Sequence, residues 1–400
     1  LEEVIVSVSD TLGTGTGFSR VMEGILGSVN RKCYHISYGG RPSFKYSHVR
    51  EFVERSSLPV SCQGQELFAD LVKELLESGT RITLLTLNDL WNLEWLTTNN
   101  THYKNPRALF YMEQARKYDL IRWVAYLPVD AHTEDGYPPI FRDMLGSVDR
   151  VIYMSEFGKE TVQVDGPVVP HYSFTTPVRV GKTELVGRMI GALKSSKFAI
   201  HPDDILVLIV AANRRRKYWP LMLKSFSLFL REVPAKLVAV TTLGGDWDLL
   251  SLCRTYRLKV YGYDEEPSVL FLRSVSDDLL NLLYNAADLV LLMSGGEGFG
   301  LPQVEAHGVG KPCVVGAYSA SKEYAVHESE LVNPIGFLEE EPYGFLRPVY
   351  EPRSVVEAML KVLTYRAVIR EKSTFRAYQF GFERFGQKWK DLVETLWEGS

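Results

Sequence analysis

Two carboxylates stand eight residues apart in the run Ser294-Gly295-Gly296-Glu297-Gly298-Phe299-Gly300-Leu301-Pro302-Gln303-Val304-Glu305-Ala306. Glycines let the backbone of the turn come close to a ligand, and Pro302 suits the first turn of a helix. Amides at such a helix start carry partial positive charge and favour phosphate. A carboxylate does not bind phosphate itself. Glu297 in the loop and Glu305 on the helix instead suit hydroxyls of a sugar or ribose, as an acidic residue does in dinucleotide sites. A second constellation is Arg214-Arg215-Arg216-Lys217, just after the apolar run at 205–210. Open α/β sheets bind ligands at the carboxyl ends of their strands. Cations there would neutralise a phosphate or diphosphate. A solvated charge run is the plain alternative.

Weaker signals lie earlier in the chain. Gly13-Thr14-Gly15-Thr16-Gly17 follows an apolar run and opens a helical pattern, with Arg20 on it. Its third glycine comes one residue too early for a dinucleotide fingerprint, and no acidic residue closes the next strand. Asp130 and His132 follow the run at 121–127, where they suit a hydroxyl or a turn cap. His171, in Pro-His-Tyr, reads as a structural histidine. Cys33, Cys62, Cys253 and Cys313 are far apart and form no C-x-x-C pair, so they read as buried thiols in a reducing compartment. Asp203-Asp204 and Asp277-Asp278 read as caps. No metal site and no cofactor are expected.

These residues need elements to position them. Short, nearly all-apolar runs at 4–8, 33–37, 82–86, 121–127 and 151–154 alternate with helical patterns such as 18–26, 65–77 and 106–117. The alternation returns with strands at 205–210, 237–241, 258–261, 289–293 and 313–315, and helices at 218–231, 247–256, 276–286 and 302–308. Continuous apolar strands belong to parallel sheets buried on both faces, and strand–helix alternation makes right-handed βαβ units. Two doubly wound α/β domains follow, at 1–175 and 176–373. The aromatic stretch 374–397 predicts a helix in a last segment, 374–400, that crosses back to the first domain.

The 400 residues are 46% hydrophobic and 24% charged, with a formal net charge of -4. That length suits two domains, and the acidic balance argues against nucleic acid as the main partner. No apolar run reaches about 18 residues, so no transmembrane helix is expected. The chain opens at Leu1 without a signal-peptide pattern, which predicts a removed start and a cytoplasmic location. Arg41, Lys45, His48 and Arg50 form a candidate peripheral membrane contact.

The segment 294–306 resembles the E-x7-E motif of the large retaining glycosyltransferase family 4. Asn213 with Arg216-Lys217, Gly244-Gly245-Asp246-Trp247 and Leu283-Tyr284-Asn285-Ala286-Ala287-Asp288 resemble the second domain of that family, in order. Ser155-Glu156-Phe157-Gly158, Pro170-His171 and Leu127-Pro128-Val129-Asp130 resemble parts of its first domain. Tyr172-Ser173-Phe174 departs from the family's usual continuation, and Ala212 stands where many members have a basic residue. The resemblance implies a GT-B fold: two Rossmann-like domains facing a central cleft. It implies a retaining, metal-independent transfer of a hexose from a UDP-glucose-like or GDP-mannose-like donor to a hydroxyl of a carbohydrate or lipid-linked acceptor. Arg216 and Lys217 would hold the diphosphate, with Glu297 on the transferred sugar and Asp130 and His132 beside it. Glu305 would take the ribose, with Gly298, Phe299, Gly300, Leu301, Asn213 and the glycines Gly15 and Gly17 near the donor. A sugar-nucleotide epimerase of the same fold and a non-catalytic nucleotide-sugar-binding subunit are the alternatives.

Overall fold

The structure, a computed structural model, describes residues 1–38, 48–54, 62–97, 105–193, 198–201 and 203–398. It divides into two compact units, Leu1–Tyr172 with Phe382–Ser400, and Ser173–Gly381. Arg41 and Lys45 of the candidate membrane contact lie outside the described residues. Among the described residues no helix is long and apolar enough to cross a membrane.

In the first unit the strands are β1 (Glu3–Asp10), β2 (Lys32–Tyr38), β3 (Val49–Glu54), β4 (Arg81–Thr86), β5 (Ile121–Leu127) and β6 (Arg150–Tyr153). They form one sheet in the order β3-β2-β1-β4-β5-β6, and every pairing is parallel. The six middle residues of β1 are buried, as a central parallel strand covered on both faces requires. The order reverses between β1 and β4, which makes their carboxyl ends the topological switch point of this unit.

The helix Phe382–Thr395 belongs to this unit. Its Trp389 is buried edge-on to Tyr126 of β5, with ring centroids 5.0 Å apart. Beyond it, the Trp397 indole N–H donates to the Thr83 hydroxyl at 3.1 Å, and the Arg81 and Arg122 guanidiniums lie over its ring. Two buried aromatics thus fix the end of the chain to the sheet.

The second unit holds β7 (Ile205–Val210), β8 (Ala235–Val240), β9 (Val269–Leu272), β10 (Leu289–Leu292), β11 (Cys313–Gly316) and β12 (Leu331–Val332) in the order β12-β11-β10-β7-β8-β9, again parallel. Alternate residues serve two cores. Val207, Ile209, Leu289 and Leu291 pack with Trp219, Phe226 and Phe229 on one face. Leu206, Leu208, Val290 and Leu292 pack with Tyr284 and Met189 on the other. Here the order reverses between β7 and β10. An antiparallel hairpin, β13 (Gly336–Glu340) and β14 (Phe345–Val349), stands apart from the sheet.

Three sequence expectations need correction. The run 258–261 is irregular, with a single bridge, rather than a strand. Leu258 and Val260 are buried against the core, but Val260 makes only an isolated bridge to Val269, and the Asp264 carboxylate accepts from the Val260 amide. The edge strand is β9 instead. The helix expected at 247–256 starts only at Leu249, where the Asp248 carboxylate caps it by accepting from Ser251 N. The helix expected over 374–397 is broken. One helix ends at Ala377, a short 3-10 turn covers Tyr378–Phe380, and Gly381 is extended before the next helix starts at Phe382.

Candidate functional site

The β7–β10 switch point gathers the charged residues of the second unit. After β7 the chain passes Asn213 and enters a short 3-10 turn, Arg215–Lys217. Tyr218 then takes a left-handed φ of 29°, and the helix Trp219–Phe229 begins. After β10 comes the glycine turn. The two loops are laced together: Gly295 N donates to Arg216 O at 2.7 Å, and an Arg216 guanidinium N–H donates to Gly296 O at 2.7 Å.

Glu297 is the centre of this lacing. Its carboxylate accepts from the Lys217 ammonium and lies 3.4 Å from Arg216 Nη1. Its backbone N–H donates to Ser319 Oγ at 2.9 Å, and Ser319 itself holds a left-handed φ of 51°. Glu297 is only 5% exposed. Burial alone would raise its pKa. The Lys217 and Arg216 charges, with hydrogen bonds from Lys217 and Ser294, outweigh that and hold the carboxyl below its ordinary value. The site is thus a buried anion clamped by two cations at a sheet's carboxyl edge, next to a helix start.

That helix is Leu301–Gly308. Gly300 precedes it with φ 91°, a backbone conformation that a side chain would strain. On the helix, Glu305 is 3% exposed and accepts from Tyr284 Oη at 2.5 Å, while its carbonyl accepts from Thr175 Oγ1 at 2.6 Å. Two residues on, His307 Nε2 meets Glu330 Oε1 at 2.8 Å; the Glu330 carboxylate also accepts from the amides of Cys313, Val326 and His327. Burial alone would push the Glu330 pKa up, but His307 and the amides of Cys313 and Val326 bring it below its ordinary value. This third buried carboxylate anchors the far end of the helix.

The structure brings Arg216, Lys217, Glu297 and the Gly298–Leu301 turn together, with Glu305 on the helix that follows. Phe299 offers backbone only, because its ring is buried against Tyr324 and Phe380. Asn213 is buried, and its amide braces the neighbouring loop. It donates to the carbonyls of Leu243 and Trp247 and accepts from Trp247 N. A Cβ on Gly245 would come 2.3 Å from Asn213 O, so a glycine at 245 lets these loops touch.

The remaining expected residues lie in the first unit and are described there. Gly15 has φ 74° in the turn after β1, and Gly17 opens the helix Gly17–Ser28. Asp130 and His132 follow β5. His132 Nδ1 bonds the Thr133 carbonyl at 2.8 Å, and its ring tilts on Phe157. His171 is buried with Nδ1 2.8 Å from Tyr126 Oη, and burial lowers its pKa to about 3. That is a neutral structural histidine.

Sequence reasoning gave no role to Ser319, Tyr218 or the His307–Glu330 pair. Only Tyr284 carried a signal, inside the quoted Leu-Tyr-Asn run. Among the described residues, no group of three or more His, Cys, Asp or Glu side chains is placed to hold a metal ion.

Comparison with solved structures places this architecture. Sucrose-phosphate synthase from Thermosynechococcus elongatus superposes with a TM-score of 0.70 at 15% identity, covering 100% of both chains. Anabaena HepE, solved with UDP and glucose, gives 0.67 at 16% identity over 98% of this chain and 99% of that one. The α,α-trehalose-phosphate synthase (UDP-forming) of Burkholderia vietnamiensis gives 0.63 at 10% identity over 98% and 99%. The fold is GT-B. Residues 193–374 match the family model described as glycosyl transferases group 1. The GT-B chain is also 32% identical over 130 residues to an uncharacterised glycosyltransferase of Methanocaldococcus jannaschii, a stretch that spans 32% of this chain and 31% of that relative's length.

Proposed function

We propose that this protein is a retaining, metal-independent glycosyltransferase, moving a hexose from a nucleoside-diphosphate sugar to an acceptor hydroxyl. The observation that carries the reading is the pair of cations, Arg216 and Lys217, clamped on the buried Glu297 beside the Leu301–Gly308 helix start. A diphosphate arriving there meets two fixed positive charges and helix amides. The same groups would stabilise the leaving nucleoside diphosphate, whose charge grows as the glycosidic bond breaks. Side-chain cations would take the place a metal ion occupies in other transferases.

In this reading Glu305, oriented by Tyr284, takes ribose hydroxyls, and Glu297 takes a hydroxyl of the sugar. Gly298, Gly300 and Leu301 present backbone amides, and Asn213 keeps the loop in place. Gly15, Gly17, Asp130 and His132 of the first unit are proposed for contacts to phosphate or sugar hydroxyls. The bond from the anomeric carbon to phosphate oxygen breaks, and a bond to the acceptor oxygen forms on the same face. The acceptor's proton passes to the leaving phosphate oxygen. No protein nucleophile is required.

The Anabaena protein holds UDP and glucose and the Burkholderia enzyme is UDP-forming, which favours UDP-glucose as the first donor to try, ahead of GDP-mannose. The acceptor is a carbohydrate or lipid-linked hydroxyl. Donor hydrolysis tests the reading: UDP-, GDP- and ADP-sugars without acceptor, with and without EDTA, alongside Lys217→Ala and Glu305→Ala. Slow, EDTA-insensitive release from one donor is expected, reduced about 100-fold or more by Lys217→Ala. Binding without any turnover, with or without candidate acceptors, would turn the reading towards a nucleotide-sugar-binding subunit. Donor consumed into an isomeric nucleotide sugar would make it an epimerase.

A further inference from the structure

The hairpin β13–β14 has no part in the sheet, yet it bonds to all three segments around Glu297. Arg347 of β14 donates from Nη1 to Gly295 O at 3.2 Å and from Nε to the Glu340 carboxylate at 2.5 Å, and its guanidinium lies over the Phe345 ring. Tyr218, the residue after Lys217, donates from its hydroxyl to Pro348 O at 2.9 Å. Tyr318, the residue before Ser319, donates to Leu346 O at 2.8 Å. So the residue after the basic turn, the glycine turn itself and the residue before the serine that holds Glu297 N each bond to one strand, β14. The fit at the glycine turn is close. A Cβ on Gly295 would sit 3.0 Å from Tyr218 Oη and 3.2 Å from Arg347 Cδ.

We propose that the hairpin is a brace for the donor site and that Arg347 is its positioning residue, fixing the Gly295 carbonyl so that Glu297 meets Arg216 and Lys217; this rests on the donor-site reading above. The physical need is clear in the sequence. Gly295, Gly296 and Gly298 surround Glu297, and glycines lose the most freedom when held in one conformation. A charge-assisted hydrogen bond from a guanidinium already oriented by Glu340 holds such a turn better than a neutral one. Arg347 acts through Gly295 rather than by touching the reacting atoms.

The test uses Arg347→Ala, Arg347→Lys and Glu340→Gln in the full chain, with two independent readouts. Hydrogen exchange over 294–300 should speed up about tenfold in Arg347→Ala, less in Glu340→Gln, and stay unchanged over 205–210. With the donor that the wild type cleaves, Arg347→Ala should lower kcat about tenfold to a hundredfold while KM moves by less than about threefold, and Arg347→Lys should recover part of the loss. Combined with Glu297→Gln, Arg347→Ala should add no more than about a twofold loss, since both act on one unit.

Unchanged exchange at 294–300, or fully additive losses, would overturn the proposal. Faster exchange in a protein whose wild type neither binds nor cleaves any nucleotide sugar would leave the brace standing and remove the donor-site reading. Should Arg347→Ala speed exchange everywhere, Glu340→Gln, which keeps the guanidinium, decides by whether its effect is confined to 294–300.

Discussion

Each unit carries a glycine-rich turn at its topological switch point, between a central strand and a helix, and the two are wired in opposite ways. In the first, carboxylates hold the loop. Glu23 accepts from Gly13 N and from Ser19 Oγ at 3.1 Å, and Asp10 accepts from Thr16 Oγ1 at 2.6 Å. Burial pushes the Asp10 carboxyl upwards, and the Thr16 bond only partly opposes it. In the second, cations hold a carboxylate, and Glu297 is driven below its ordinary pKa despite being buried. Glycine spacing gives both turns the same backbone latitude. The sign of the charge facing the turn decides whether an anionic ligand is drawn in, and among the described residues it is the second turn that carries a cation pair on its rim.

The largest effect should therefore come from cutting each turn's carboxylate in parallel. Glu297→Ala is expected to lower donor turnover by about 10²- to 10³-fold, the range seen when one electrostatic group is removed from a preorganised site. Glu23→Ala leaves Gly13 N and Ser19 Oγ without that acceptor, which should cost about 1–3 kcal/mol of stability but change turnover by less than tenfold. Turnover per folded protein, with unfolding followed separately, checks both. Equal losses of turnover would break the contrast and put the first turn in the chemistry on the same footing as the second.

The contrast was only half legible in the sequence. Apolar runs such as 205–210 and 289–293 gave β7 and β10 because parallel strands buried on both faces have little choice of residue. The placement of the basic run and the glycine turn after two such strands pointed to 214–217 and Glu297, and the family resemblance singled out Arg216 and Lys217 within the run. Their contact needed topology, since the strands adjoin only because β10 returns beside β7. The run 258–261 misled because Leu258 and Val260 are apolar for burial, not for a ladder. Arg347 gave no signal, since its role depends on a hairpin some fifty residues from the turn it bonds. Glu23 was hidden in a helix pattern where an acidic residue reads as surface, and Ser319 was one hydroxyl among many.

The comparison sharpens under acid. The first unit buries neutral imidazoles: burial lowers His35 to about 4 and His171 to about 3, from an ordinary 6.5. As pH falls below about 6.5 the unfolded chain takes up protons that these folded histidines refuse. Stability present above that pH is then lost, at about 1.4 kcal/mol per pH unit for each histidine, or about 2 kcal/mol each at pH 5. The second unit's Glu297 and Glu330 have folded pKa values below the ordinary 4.5. Their contribution is present above that value and is lost only as pH falls further. Exchange protection of β1 and β5 should fall between pH 7 and 5 while that of β7 and β10 holds, and His171→Gln should remove about half of the first unit's slope. Parallel loss in both units would mean that the buried histidines are not what tells them apart.

The smallest effect separates two helix caps that look alike. Thr16 accepts from Ser19 N at 3.1 Å to start the helix Gly17–Ser28, and Ser276 accepts from Leu279 N at 3.3 Å to start the helix Asp277–Ala286. Replacing either with alanine should cost about 1 kcal/mol at neutral pH. Thr16 also donates to Asp10, whose folded pKa lies above its ordinary 3.8. A raised carboxyl penalises the folded state once ionised, and the penalty vanishes when both states are protonated. Losing the Thr16 donor deepens that penalty, so the cost of Thr16→Ala should grow as pH rises from about 4 to 7, whereas Ser276→Ala should cost the same at both. Denaturant unfolding of the two variants at these pH values resolves a difference of this size. If Thr16→Ala is as flat with pH as Ser276→Ala, then Asp10 is solvated, and the first turn is held by Glu23 without its help.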